Sequence, residues 1–518
     1  MGPWFHRASA DGPEGAALLR ARSGPYHWLA VAVFLGAFAW AYLAFAGKLI
    51  STTNLEPQRQ DQKHNMRRAL VARDLLEGSD NRGVMQRLTD WMPHATDGVV
   101  APLWPWVAAR LAAPEDSIDE ASFATDTPQD LAFFQRGKWF NVRLTLGFLL
   151  LLGLWTARHF SVLGTANFLL LAGFGAFLPR AVYFQPEPLF FILFLLAWLC
   201  AIALLKRNAV WRHALFGLLC GLAYLSKTSI EPLILGWFGV SSWRFVRGCL
   251  HRGDPSAWSC RNHFIGVLAF LFAYLLVIGP TLGYNRERFG SAFHNFPRYW
   301  MWMDDFDTTG YKWMQQHPTA KELQAVPPEE IPNARNYFKA HPWPQWWHRL
   351  TDGTHAKLDQ FLAPKPEFKK PRDGWKRILD LRGVYLGGLV VMLGLAAVYA
   401  RTRGPAWFQT GPALHPEAGS AAIFVIGTFA AYCLAYGWYH PVGRGERFLL
   451  GLYAPLVLSL LWGAEYLQKW ADRRGGDGRW FRLVYRGIHV LIFCSIVWRL
   501  TMLRHDWGNG VWFDPDVI

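Results

Sequence analysis

Charged residues stand at the ends of several long apolar segments, where they could act on a substrate at a membrane surface. They are Arg180, Glu187, Lys227, Arg444 and Arg447. A charged side chain at the end of an apolar helix is costly unless it reaches water or a partner. Two interpretations stay open: each residue extends to the interface or pairs with a neighbour, or the set forms a cationic site for a phosphate group.

Asp61 is the best candidate for an acid or base. It opens a segment in which Met66, Leu70 and Val71 recur at helical spacing, so it would lie at the start of a helix. As a structural residue it would cap that helix by accepting backbone N–H groups. As a functional residue it would be a catalytic base. Asp61 and His64 could also share a metal, so a divalent cation stays an open alternative, although no cofactor is indicated.

A second polar segment contains further candidates for binding an acceptor. They are Asn285, Asp304, Asp305 and Asp307. The three aspartates could hold an acceptor or a cation, or they could be solvated loop residues. The same segment is rich in tryptophan, a residue that anchors proteins at the membrane interface and also stacks on sugars.

Eleven near-continuous apolar runs must hold these polar groups in place. The chain has 518 residues, of which 52% are hydrophobic and 18% charged, against roughly 25% charged in an ordinary soluble domain. A spanning helix needs about 20 mostly apolar residues. We therefore predict an all-α polytopic membrane protein with eleven transmembrane helices, at 28–47, 142–158, 163–180, 187–205, 212–226, 229–247, 263–283, 383–400, 419–438, 446–467 and 484–502.

The distribution of basic residues predicts the orientation. Arg7, Arg20 and Arg22 precede the first apolar run and place the N-terminus in the cytoplasm by the positive-inside rule. The short loops then predicted inside carry sixteen Lys and Arg residues, against four in the short outside turns. Two long polar segments, 48–141 and 284–382, are thus expected on the extracytoplasmic face of the cell (inner or plasma) membrane.

This orientation divides the chain into five parts. They are a cytoplasmic tail at 1–27, a catalytic membrane module at 28–283 that includes the first outer loop, the large outer loop at 284–382, the C-terminal membrane helices at 383–503, and an outer tail at 504–518. The net charge of +15 is typical of cytoplasmic loops facing anionic lipid. We expect the lipid bilayer as a partner, and no nucleic acid.

Common nucleotide-binding and hydrolase motifs are missing from the sequence. It contains no Walker sequence, GxGxxG fingerprint, GxSxG elbow or HExxH. ATP-driven transport, nucleotide-cofactor chemistry and zinc proteolysis therefore lose their usual support. All six cysteines avoid the two long polar segments, so we expect no disulfide framework.

Taken in order, several segments resemble the GT-C superfamily of polytopic glycosyltransferases, within it the bacterial branch related to aminoarabinose transferase and protein O-mannosyltransferase. The matching elements are Asp61 after the first helix, the stretch 101–106 (APLWPW), Arg143, Gln185-Pro-Glu-Pro188, 217–227 (GLLCGLAYLSK), 284–290 (YNRERFG) and 446–455 (ERFLLGLYAP). One departure is that Gln62 follows Asp61, where the family often has Asp-Glu.

The resemblance implies transfer of a monosaccharide from a polyprenyl-phosphate donor to a glycan, lipid or protein acceptor, with inversion. The expected roles are a base for Asp61, a second acid for Glu187, and donor-phosphate binding for Lys227, Arg447, Arg180 and Arg444. Two alternatives are a transporter or lipid-glycan flippase, which would need polar groups near mid-membrane and repeat symmetry, and an O-antigen polymerase or ligase, whose main outer loop lies later in the chain.

Overall fold

The computed structural model describes residues 24–52, 55, 57, 61–78, 83–117, 128–250, 260–362, 382–402, 416–443, 447–472 and 479–505. These residues form helices joined by turns and loops, with no β-strand among them. The prediction of an all-α protein is therefore confirmed for the described part of the chain. Most of the two predicted tails, 1–27 and 504–518, and residues 363–381 of the second long segment lie outside it.

Twenty α-helices follow one another in the described ranges. They are α1 Pro25–Thr52, α2 Gln62–Glu77, α3 Leu103–Ala108, α4 Pro128–Thr156, α5 Val162–Ala172, α6 Leu178–Ala181, α7 Glu187–Lys206, α8 Val210–Ser226, α9 Glu231–Leu250, α10 Cys260–Phe289, α11 Phe296–Trp300, α12 Tyr311–Gln316, α13 Ala320–Ala325, α14 Ala334–Ala340, α15 Trp343–Leu362, α16 Arg382–Thr402, α17 Pro416–Trp438, α18 Arg447–Leu450, α19 Tyr453–Asp472 and α20 Arg479–His505. Single helical turns lie at Val84–Gln86, Arg87–Trp91, Met92–Ala95, Ala109–Leu111, Gly173–Phe177, Thr228–Ile230 and Phe306–Gly310.

The chain has the helices of a multi-pass membrane protein. Nine helical segments of the described chain are long and apolar enough to cross a membrane. Every one of the eleven predicted apolar runs falls mainly within a helix. The helices of two predicted runs are not among these nine segments. Helix α8 has only 17 residues, and α9 carries the charged residues Arg244 and Arg247. The count of eleven spans therefore stays a prediction.

Two helix ends differ from the predicted loop boundaries. α4 begins at Pro128, well before the predicted start at 142, and α10 continues through Asn285 to Phe289. The apolar runs underestimate the lengths of both helices because the terminal turns of these helices are polar. Polar residues can continue a helix that has already formed, since adding a residue costs less than starting a new helix. The second long segment therefore begins after Phe289.

The spanning helices pack around one apolar core that draws on helices from α1 to α20. Small residues allow the closest approaches, as is usual between membrane helices. A Cβ atom on Gly217 of α8 would lie 2.3 Å from the carbonyl oxygen of Phe270 on α10. The backbones of α8 and α10 therefore meet at a position where only glycine fits.

The first long polar segment folds into a compact layer on one end of this bundle. α2 and α3 share a second apolar core with the start of α4, formed by Met66, Leu70, Trp104, Phe133 and Phe184. Trp104 is fully buried. The Trp104 ring therefore lies in a protein core, covered by side chains that include Phe133 and Phe184.

The second long segment, from α11 to α15, packs on the same end of the bundle. The backbone N–H of Phe296 donates to the carbonyl of Gly98 at 2.8 Å, which joins the two long segments directly. Helix α15 then docks along α17. We call this side of the molecule, covered by residues 61–78, 83–117 and 290–362, the loop end.

Candidate active site

Glu187 and Lys227 form an ion pair at the loop end. Lys227 Nζ lies 2.7 Å from Glu187 Oε1. Glu187 is the first residue of α7, and Lys227 directly follows the last residue of α8 in an extended conformation. Asn141 of α4 fixes the preceding turn, because its side-chain amide donates to the carbonyls of Tyr183 at 2.9 Å and Gln185 at 3.1 Å. The pair is therefore built from the start of α7 and the end of α8, and the middle of α4 supports the turn before Glu187.

One oxygen of Glu187 is left for another group. The side chain is only 4% exposed, and Oε1 accepts the hydrogen bond from Lys227. Oε2 is buried and has no hydrogen-bond partner among the described residues. A buried carboxylate oxygen without a donor is costly. A hydroxyl group on a bound molecule would satisfy it.

Asp61 and Arg447 form the second ion pair, although they are 386 positions apart. Arg447 Nη1 donates to Asp61 Oδ2 at 3.1 Å. Asp61 does lie at the N-cap position of α2, as predicted, but its side chain accepts no backbone N–H of that helix. The structural interpretation of Asp61 as a capping side chain is therefore wrong.

The backbone of Asp61 is in the left-handed region, with φ 65° and ψ 7°. It is the single non-glycine residue with positive φ in the described part of the chain. This conformation costs a residue with a Cβ roughly 1–2 kcal/mol. Such strain persists where the surrounding structure enforces it, often at functional sites. In this conformation the Asp61 carboxylate contacts Arg447 and does not cap α2.

The two ion pairs belong to one cluster. Lys227 Nζ lies 5.3 Å and the Arg447 guanidinium carbon 5.1 Å from the centre of the Phe448 ring. Arg447 and Arg180 both stabilise the Glu187 carboxylate. Burial lowers the pKa of Lys227. The positive charge of Arg447 lowers that pKa further, whereas Glu187 raises it, and the net direction is downward.

Arg180 belongs to this cluster, as the sequence predicted. It is fully buried near the end of α6, and its guanidinium carbon lies 5.7 Å from the centre of the Tyr183 ring. It acts electrostatically on both Glu187 and Lys227. Arg444, the fourth predicted phosphate ligand, lies outside the described residues.

Lys357 is a cationic residue at this site that sequence reasoning missed. It lies on α15 of the second long segment, and its Nζ donates to the carbonyl of Gly443 at 2.6 Å. The same Nζ lies 4.9 Å from the centre of the Phe448 ring. The sequence around Lys357 predicts a polar, amphipathic helix but does not indicate which other elements that helix contacts. The position of Lys357 at the site was therefore not predictable.

Of the predicted acidic group, Asp304 is tightly held and not merely solvated. Its carboxylate accepts hydrogen bonds from Tyr337 Oη, His341 Nε2 and Arg349 Nη1, each at 3.1 Å. Arg349 is fixed in turn by the carbonyls of Met301 and Trp438, at 3.0 and 2.9 Å. The network therefore forms a hydrogen-bonded polar surface, in which the Asp304 side chain remains 63% exposed.

The other acceptor candidates have different positions. The backbone carbonyl of Asp305 accepts the N–H of Gly310 at 3.2 Å, and the side chain of Asp307 is not among those described. Asn285 donates to the carbonyl of His294 at 3.2 Å and so closes the turn after α10. Its contact is that of a structural residue.

A cavity of about 410 Å³ opens beside the Asp304 network. Small-molecule sites range from about 300 to 1,000 Å³. Its lining includes Asp304, Arg349, Asp352 and His440. Lys357 lies five residues after Asp352, about 7 Å along the helix axis at about 1.5 Å per residue. The cavity and the cation cluster therefore share helix α15.

His64 does not join Asp61 in a metal site. Its Nε2 lies 2.8 Å from Asp97 Oδ2. Burial lowers the pKa of His64, but the hydrogen bond and charge of Asp97 outweigh it and raise the pKa above its usual value. Among the described residues no group of three or more His, Cys, Asp or Glu side chains is placed to hold a metal ion.

The fold and site define a multi-pass α-helical membrane protein with paired cations and carboxylates at one end. No protein-family model, curated protein or solved structure matches this chain.

Proposed function

We propose that this protein is a glycosyltransferase that moves one monosaccharide from a polyprenyl-phosphate donor to an acceptor hydroxyl, with inversion at the anomeric carbon. The observation that carries the proposal is the meeting of two carboxylate–cation pairs, Asp61–Arg447 and Glu187–Lys227, at one end of a helical membrane bundle. Displacement of a phosphate by a hydroxyl needs a base beside the hydroxyl and positive charge beside the departing phosphate. Both requirements are met within this cluster.

In the proposed reaction Lys227 and Arg447 bind the donor phosphate, with Arg180 and Arg444 as further ligands. Asp61 accepts the proton of the acceptor hydroxyl while its oxygen bonds to the anomeric carbon. The bond from that carbon to the phosphate oxygen breaks on the opposite face. The oxygen keeps the electron pair, so the polyprenyl phosphate gains one negative charge, which the cations stabilise.

Donor binding would also free the base. Without a ligand, Arg447 is paired with Asp61, whose side chain is 64% exposed. An exposed pair of this kind contributes little, about 0–1 kcal/mol, and a phosphate competes well for a guanidinium. The donor phosphate therefore takes Arg447, and the Asp61 carboxylate becomes available to an acceptor hydroxyl. This exchange predicts that the donor binds first.

Glu187 is assigned a supporting role in this mechanism. Its buried Oε2, which has no partner among the described residues, suits a hydrogen bond from a substrate hydroxyl. The cavity lined by Asp304 and Arg349 offers both acceptors and donors to a hydroxyl-rich acceptor, which could be a glycan, lipid or protein. In this mechanism the protein's own cations supply the positive charge beside the phosphate. A divalent cation is the alternative source of that charge.

The proposal includes an orientation. Eleven spanning helices and a cytoplasmic N-terminus would put the loop end on the extracytoplasmic side of the cell membrane. Nucleotide sugars are scarce there, so a donor carried by a membrane lipid explains why such an enzyme is embedded in the bilayer. The polyprenyl chain would lie among the spanning helices with its phosphate at their ends.

The test is transfer by the purified protein in lipid vesicles. A panel of prenyl-phosphate monosaccharides is supplied with envelope extract from cells lacking the gene, and released prenyl phosphate and the anomeric form of the product are measured. We expect release with one donor and an inverted linkage in the product. Movement of the intact lipid across the vesicle membrane, with no bond cleaved for any donor, would favour the flippase alternative.

A further inference from the structure

Three cationic groups at the loop end surround a single aromatic ring. Measured to the centre of the Phe448 ring, Lys357 Nζ lies at 4.9 Å, Arg447 Cζ at 5.1 Å and Lys227 Nζ at 5.3 Å. They come from three separate parts of the chain, namely α15, α18 and the turn after α8. Positive charges repel one another and attract a shared anion. Lys227 and Arg447 are each paired with one carboxylate of the protein, so a third positive charge beside them strengthens the attraction for an anion.

We propose that Lys357 contributes a third positive charge to the anion site of Lys227 and Arg447, so that helix α15 completes the site for a phosphodiester. This inference rests on the proposed function. It adds a ligand that neither the apolar runs nor the resemblance to GT-C enzymes indicated, and it assigns a role to the second long segment in binding the donor.

The burial of Lys357 supports this role. The residue is fully buried, and moving an ammonium group out of water is costly even when it is hydrogen-bonded. The buried Nζ atom lies beside the ring that Lys227 and Arg447 also face. Its charge can therefore act on an anion bound between these cations.

The docking of α15 fixes the position of Lys357. A Cβ atom on Gly353 would lie only 2.0 Å from the carbonyl oxygen of Gly437, and one on Gly437 would lie 2.2 Å from Thr354 Oγ1. This close contact between α15 and α17 lies one turn before Lys357. The second long segment must therefore be in place before the third charge can reach the anion.

The site should then respond to pH. Burial, and next Arg447, lower the pKa of Lys357 to about 7. A bound anion favours the ammonium form, so affinity is highest below about pH 7 and falls as the lysine loses its proton. Other charged or titratable described residues on or next to the elements packed against α15 are Arg382, Tyr385, Tyr399, Tyr432, Cys433, Tyr436, Tyr439 and His440.

The experiment measures binding of a prenyl methyl phosphodiester to the full-length protein in lipid nanodiscs. This probe keeps one negative charge from about pH 6 to about pH 9, so ligand titration does not contribute. The variants are Lys357→Gln, which keeps a donor for Gly443 but no charge, and Lys357→Arg, which keeps the charge. Lys339→Gln on the exposed side of α14 is the matched control, and a thermal melt of each variant checks folding.

At pH 6 we expect Lys357→Gln to bind about tenfold more weakly than the unmodified protein, the cost of one charge-assisted contact. The unmodified protein should lose affinity between about pH 6 and about pH 9, and this loss should be smaller in both Lys357 variants. Lys339→Gln should behave as the unmodified protein.

Three results would count against this inference. If Lys227→Ala weakens binding and Lys357→Gln does not, the anion site lacks this third ligand while the proposed function stands. If the unmodified protein does not bind the probe at any pH, the donor site itself is wrong, and both proposals fall together. Equal weakening in Lys357→Gln and Lys357→Arg, with no pH dependence, would make Lys357 a structural link to Gly443.

Discussion

Asp61 Oδ2 and Arg447 Nη1 lie 3.1 Å apart, so the candidate base is paired with a candidate phosphate ligand. The same arrangement recurs in Glu187 and Lys227, at 2.7 Å. Arg447 and Lys227 are thus each matched by a carboxylate of the protein itself. An anion that enters the site must replace the Asp61 and Glu187 carboxylates as partner of the two cations. Binding of the donor phosphate is thereby linked to release of the two carboxylates that are proposed to contact the acceptor.

The Glu187–Lys227 pair should stabilise the fold as a unit. Lys227→Met leaves the buried Glu187 charge without its closest partner, and loss of one member of a buried pair typically costs about 3 kcal/mol or more. The double variant Glu187→Gln with Lys227→Met should recover part of that loss, because neither charge remains. Thermal unfolding in detergent measures both, with Lys339→Met as the control. If Lys227→Met is as stable as the unmodified protein, the buried Glu187 charge does not need Lys227 to stabilise it.

The His64–Asp97 pair predicts a pH dependence in the first long segment. The folded-state pKa of His64 is raised, so its contribution is fully present below about pH 6.5 and is lost as pH rises through the folded value. Hydrogen exchange in α2 should therefore become faster between about pH 6 and about pH 9, after correction for the intrinsic rate.

The control for this dependence is Asp97→Asn, which removes the charge that raises the pKa of His64. In that variant the corrected exchange rate of α2 should no longer change with pH. A dependence that survives the substitution would mean that another group controls the stability of α2.

The two long segments should lie on the same side of the membrane. In a variant without native cysteines, Val84→Cys and Lys339→Cys add one thiol to each segment, and Arg207→Cys adds one at the opposite end of α7, all at exposed positions. A membrane-impermeant thiol reagent should label the first two in intact cells and Arg207→Cys only after lysis. Labelling of Arg207→Cys alone in intact cells would reverse the orientation.

The contact of α15 with α17 should not tolerate a side chain. Gly353→Ala puts a methyl group 2.0 Å from the Gly437 carbonyl oxygen, so α15 must shift, and Lys357 must shift with it. We expect a lower melting temperature and weaker binding of the phosphodiester probe. Gly394→Ala on α16 has open space around the new methyl and should gain up to about 1 kcal/mol. Equal behaviour of the two variants would contradict the close docking.

The sequence predicts the spanning helices well because their signal is local. Apolar runs of about 20 residues mark them, and charged residues such as Glu187 and Lys227 mark their ends. Since α7 begins and α8 ends on the same side of the bundle, alternation of the helices already placed those two residues at one end. Their contact at 2.7 Å, which the sequence did not predict, depends on how the two helices pack.

Other features depend on tertiary packing that a sequence pattern does not specify. Trp104 suits either a membrane interface or a protein core, and the deciding fact is that Phe133 and Phe184 cover it. Asp61 lies at a helix start, but its left-handed backbone and its contact with Arg447 arise from the assembled fold. Lys357 is one of many lysines in a polar segment until α15 is docked.

The most direct test of the proposed mechanism compares Asp61→Asn with the unmodified protein, using a lipid-linked sugar donor that the unmodified protein accepts. The amide keeps the shape of the side chain but cannot take the proton of an acceptor hydroxyl, so transfer should fall by about 10²–10⁴. Binding of the donor should persist or become tighter, because Arg447 loses its competing carboxylate. Undiminished transfer in Asp61→Asn, measured as released prenyl phosphate, would contradict the assignment of Asp61 as the base.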